Sequence, residues 1–64
     1  MKAIRFTEQL IRGDRFITIH VNNDPKMIAR ENPGFAGGWE VKTTNGSEIG
    51  FFQNLNDIEL FINN

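Results

Sequence analysis

Sixty-four residues with no cysteine and a single histidine, His20, leave no disulfide, no thiolate metal site and too few ligands for zinc. A net charge of −1, with 39% hydrophobic and 23% charged residues, is ordinary for one small globular domain spanning residues 1–64. No apolar run approaches the ~20 residues that cross a bilayer, and "MKAIRFTEQ" lacks a signal-peptide core, so a cytoplasmic chain without a membrane partner is expected.

The near-zero charge conceals a bias. Residues 1–30 carry six cations and three anions, whereas residues 31–64 carry one cation and five anions. The halves either neutralise each other in the fold or leave a basic and an acidic face.

Residues 3–21 read as a hairpin, with "AIRFTEQLI" and "RFITIHV" flanking a Gly13-Asp14 turn. That turn pairs Leu10 with Ile17, Glu8 with Ile19 and Phe6 with Val21. One face then holds Ile4, Phe6, Leu10, Ile17, Ile19 and Val21, with Glu8 as its one misfit. The other holds Arg5, Thr7, Gln9 and Ile11 opposite Phe16, Thr18 and His20. A short helix over "TEQLIRG" ranks second, because Ile4 and Phe6 already alternate.

"NNDPKMIAREN" predicts a two-turn helix. Asp24 suits an N-cap, Pro25 the first helical position, and Asn32-Pro33-Gly34 the end. "GWEVKTTNGSEIGFF" predicts a second hairpin. A loop over Thr44–Gly46, with Gly46 as a bulge, sets Lys42 against Glu48, Val41 against Ile49 and Trp39 against Phe51. A final helix follows, with Asn56 as N-cap, Glu59 at the third position, and Leu55 and Leu60 as a staple. The expected fold is therefore α+β: a four-stranded antiparallel sheet of two hairpins in the order ββαββα, with the C-terminal helix on one face.

"FAGGW" at 35–39 joins the halves. Trp39 falls on the apolar face of its strand and reads as core. Phe35 reads as a plug at the sheet edge, or as an aromatic presented by a mobile Gly37-Gly38 lip. The glycines are no phosphate cradle, since no Gly-Lys-Ser/Thr follows and Glu40 would repel phosphate.

Catalysis finds little support. His20 has threonines near it and no carboxylate to orient its ring. The acidic residues form no forced pair, so a non-enzymatic chain without cofactor or metal is expected. "RGD" at 12–14 and "NGS" at 45–47 read as turns.

Two binding classes remain. As a protein-interaction module, the chain would use Arg5, Ile11, Phe16, Thr18, His20 and Phe35, where apolar residues sit within a polar ring. Such a module would act as an inhibitor, adaptor or regulator of a larger protein, and an origin in a phage or mobile element would suit its size. As a nucleic-acid module, it would use Arg5, Arg12, Arg15, Lys26 and Arg30, with Phe16 and His20 stacking on bases. Seven cations in an acidic chain count against that reading. A homodimer seamed on the outer face of the first hairpin is a third possibility. In plan, residues 38–62 are similar to many small sheet-plus-helix domains, the three-stranded DNA-binding domains of integrases among them, without a diagnostic motif. Only Lys42 supplies a basic residue on the corresponding strands, so no site residue is carried over.

Overall fold

The computed structural model describes residues 2–32 and 38–64. Five strands and one helix follow in chain order: β1 (Ile4–Ile11), β2 (Asp14–Val21), β3 (Asp24–Glu31), β4 (Trp39–Thr43), β5 (Glu48–Phe52) and α1 (Leu55–Asn63). The strands form one antiparallel sheet in the order β1-β2-β3-β4-β5. The four-stranded ββαββα arrangement is thereby overturned. The described residues are mostly sheet, and the one helix among them is C-terminal.

The correction centres on residues 24–31. Asn22 and Asn23 both have positive φ, 54° and 72°. Two such residues in succession make the mirror-image turn whose twist matches a hairpin, and asparagine tolerates that region better than most side chains. The chain therefore reverses before Asp24, and what resembles an N-cap followed by proline opens a strand instead. Beyond Pro25 the residues alternate: Met27 and Ala29 are buried, Ile28 and Arg30 exposed. Pro25 is accommodated because β4 pairs only with Met27 to Glu31, leaving that flank of β3 without a neighbour. A bulge between Ile19 and His20 adjusts the register there.

The first hairpin turns one residue earlier than expected. Arg12 and Gly13 carry positive φ, 53° and 84°, so Leu10 pairs with Arg15 and Glu8 with Ile17. The slip moves each partner by two positions, so every side chain keeps its expected face. In the second hairpin Lys42 pairs with Glu48, as expected. A bulge follows, and beyond it Val41 pairs with Gly50 and Trp39 with Phe52. The loop matches expectation: the Gly46 N–H donates to Thr43 O at 3.0 Å and the Thr43 N–H to Ser47 O at 2.8 Å, with Gly46 at φ 98°.

The helix starts earlier than expected. Asn54, not Asn56, is its cap: φ −150° and ψ 170° place it outside the helix, and its Oδ1 accepts the Asp57 N–H at 2.9 Å. Leu60 is 58% exposed, so the expected staple does not form. Ile58 and Ile62 instead enter the core one turn apart.

The core lies between α1 and one sheet face. It contains Ile17, Ile19 and Val21 of β2, Met27 and Ala29 of β3, Trp39 and Val41 of β4, and Ile58 and Ile62 of α1. Ile4, Phe6, Ile49, Phe52 and Leu55 pack around it. Among the described residues no polar or charged side chain is buried, and no helix is long and apolar enough to cross a membrane.

Candidate functional site: the sheet face opposite the helix

A five-stranded sheet with its helix on one side has a second face. Pairing fixes which residues stand there. One row across the sheet runs Gln9, Phe16, Arg30, Glu40, Phe51. The next runs Thr7, Thr18, Ile28, Lys42, Glu48. Arg5 pairs with His20 at one end, and Ile11 with Asp14 at the other. Residues 24–31 form a strand of this sheet, so no helix from that segment lies over the face. Phe35 and the Gly37 side of the glycine pair lie outside the described residues.

Apolar and charged groups are interleaved on the face. Ile11, Ile28 and Phe51 are 47%, 37% and 48% exposed, and Phe16 is half-buried. The Phe51 ring leans over Gly38: a Cβ built on Gly38 would come within 2.1 Å of the ring's Cζ. A cleft of about 240 Å³ opens between Phe16 and Ile28 on one side and the Thr43–Gly46 turn on the other. Arg30, Glu40 and Lys42 line it with them. Arg30 also reaches Asp14, Nη2 to Oδ2, at 3.4 Å, and the Asn32 amide donates to Glu40 Oε1 at 3.2 Å. Across the face, Arg5, Arg30 and Lys42 stand against Asp14, Glu40 and Glu48, so its formal charge is zero. His20 brings a ring whose Nδ1 is buried with no hydrogen-bond partner among the described residues.

Five of the six residues expected in a protein-binding patch, Arg5, Ile11, Phe16, Thr18 and His20, share this face. The basic set does not converge. Arg5 and Arg30 are on the outer face in different rows, and Arg12 occupies the exposed turn. Arg15 points to the helix side, where Glu8 and Glu31 hold it. Lys26 borders a separate cleft beside the helix C-terminus, near Lys2, Asp24 and Ile62.

Ile28, Lys42 and Phe51 were not in either expected set. A helical reading of residues 24–31 hides the place of Arg30 beside Phe16 and of Ile28 beside Thr18. The signal was present in the alternation of residues 26–31 and in an Asn-Asn pair between two apolar runs. No protein-family model, curated protein or solved structure matches the chain.

Proposed function

We propose that the chain is a small, non-enzymatic interaction module of the cytoplasm. It docks the sheet face opposite α1 onto a larger protein, which it inhibits, adapts or regulates. One observation carries this reading: the Phe16–Ile28 cleft joins apolar walls to Arg30, Lys42 and Glu40 on a face of zero formal charge. Apolar centres ringed by polar groups are how protein interfaces are built. A polyanion would instead call for converging cations, and here Arg5, Arg12, Arg15, Lys26 and Arg30 are spread over both faces and both ends. The fitting partner surface offers an apolar or aromatic anchor for the cleft, flanked by a carboxylate for Arg30 or Lys42.

The test is capture of binding proteins from host lysate by the wild-type chain and two variants, with and without nuclease. Ile28→Asp should abolish capture of a discrete protein, since a central anchor carries much of the binding energy. Arg12→Ala should leave it intact, and nuclease should change nothing. Capture that survives Ile28→Asp, or that vanishes with nuclease, overturns the proposal. The second result would move the site to the basic residues.

A further inference from the structure

The sheet has two edge strands, and they differ. β5 is five residues long, broken by a bulge, and holds Gly50 at φ 153°. Short, bulged edges resist pairing with other chains. β1 is eight residues long, contains neither proline nor glycine, and runs against β2 without a register shift.

The first turn determines which backbone groups β1 offers outward. In a hairpin with a two-residue turn, the pair next to the turn, here Ile11 and Asp14, exchanges hydrogen bonds, and every second pair follows suit. The pattern continues to the far end, where the Asn22 N–H donates to Ala3 O at 2.7 Å. Ile4, Phe6, Glu8 and Leu10 therefore turn their N–H and C=O groups away from β2, along an edge that no other described strand pairs. Leu10 is 72% exposed, the most of any large apolar residue described. Charge on an edge strand normally discourages pairing, but Glu8 is already engaged by Arg15 Nε at 2.6 Å.

We propose that β1 is the seam of a homodimer, in which two copies pair β1 antiparallel about a two-fold axis through Thr7. The sequence of β1 selects this register. Centring on Thr7 sets Ile4 against Leu10 of the second copy, Phe6 against Glu8, Arg5 against Gln9, and Thr7 against itself. The exposed Leu10 gains an apolar partner, no like charges face each other along Ile4–Leu10, and threonine pairs are favourable across strands. The neighbouring registers are worse. Centring on Glu8 places two carboxylates opposite each other, and centring on Phe6 sets Leu10 against Lys2. The dimer is one ten-stranded sheet with both helices on the same side, and it leaves the opposite face open for the partner proposed above.

Ile28 and Arg12, which test the docking face, are not part of β1, and Leu10, which tests the seam, stands with Arg15 on the helix side of the sheet, so either proposal can fail alone. Sedimentation equilibrium over a concentration series should show a species of twice the 7.3 kDa chain mass. Leu10→Lys, at a position that contributes little to the monomer core, should weaken association at least tenfold without loss of folding. The chain has no cysteine, so cysteine placement reads the register directly. Thr7 would face itself as a non-hydrogen-bonded pair about 4.5 Å apart at Cα, within disulfide range. Thr7→Cys should therefore cross-link in air by itself. Arg5→Cys and Gln9→Cys should cross-link only when mixed. A chain that is monomeric at millimolar concentration overturns the proposal. So does a dimer broken by Phe16→Asp but not by Leu10→Lys, or one in which Thr7→Cys fails to cross-link.

Discussion

The Arg15 guanidinium lies 5.6 Å from the centroid of the Trp39 ring, while its Nε and Nη1 hold Glu8 and Glu31 at 2.6 and 3.0 Å. The four residues come from β1, β2, β3 and β4. Together the three charged side chains form a polar cover over the buried indole on the helix side of the sheet. The hydrogen bond and charge of Glu8, followed by the charge of Glu31, raise Arg15 above its ordinary pKa. Trp39 is the chain's one tryptophan and is buried. Arg15→Ala should red-shift its emission and expose it to acrylamide quenching. Arg12→Ala, three residues away at the turn, should do neither. Unchanged emission in Arg15→Ala would show that the guanidinium does not shield the indole.

Gly38 and Phe51 form a second coupled pair. An alanine methyl at Gly38 would meet the Phe51 ring at 2.1 Å, displacing it from the backbone it covers. Gly38→Ala should cost about 1 kcal/mol, at the low end for overpacking because the ring's far end can swing aside. In a Phe51→Ala background the same change should be neutral or stabilising by about 0.5 kcal/mol, since alanine restricts the unfolded chain. Urea midpoints of the four proteins test this. Equal costs in both backgrounds would show that the ring and glycine are independent.

The helix cap gives a sharper discrimination. Asn54→Ala removes the acceptor for the Asp57 N–H and should cost about 1 kcal/mol. In a domain of this size that lowers the thermal midpoint by about 4–8 °C. Asn56→Ala lies inside the first turn and should be nearly silent. The reverse order would place the helix start two residues later.

The Asn22-Asn23 turn should respond in opposite senses to glycine and alanine. Asn23 sits at φ 72°, so Asn23→Gly should hold or raise the melting temperature, while Asn23→Ala should lower stability by about 1 kcal/mol. A lower midpoint for the glycine variant than for alanine would contradict the turn geometry.

These elements show what was legible in the sequence and what was not. Face assignments in β1 and β2 survive a register slip because side-chain direction repeats every two residues. The turn position depends on whether Arg12 or Asp14 accepts positive φ beside Gly13, which composition does not decide. For residues 24–31 two local codes conflicted: Asp24-Pro25 opens helices, and Asn22-Asn23 reverses strands. The unpaired edge of β2 decides between them, because β3 bonds along Phe16–Val21 and a helix would leave that edge open. Asn54 and Asn56 are chemically equal caps. Burial of Ile58 and Ile62 against the sheet distinguishes them, and that is a tertiary fact. On the outer face, the contribution of β1 and β2 is visible in the sequence; Ile28 and Lys42 require the five-stranded order, and Phe51 requires the bulge that sets Trp39 against Phe52.

That order also bears on kinetics. Each strand pairs with the one that precedes it in the chain, so each addition closes only a short loop, whose entropic cost grows slowly with length. Sheets of this kind have low contact order and fold fast for proteins so rich in strand. The step that brings distant residues together is the docking of α1, which joins the Lys2 N–H to Asn63 Oδ1 across 61 positions. Where that docking follows the folding transition state, Ile58 and Ile62 should show low φ-values while the strand residues of the core show higher ones.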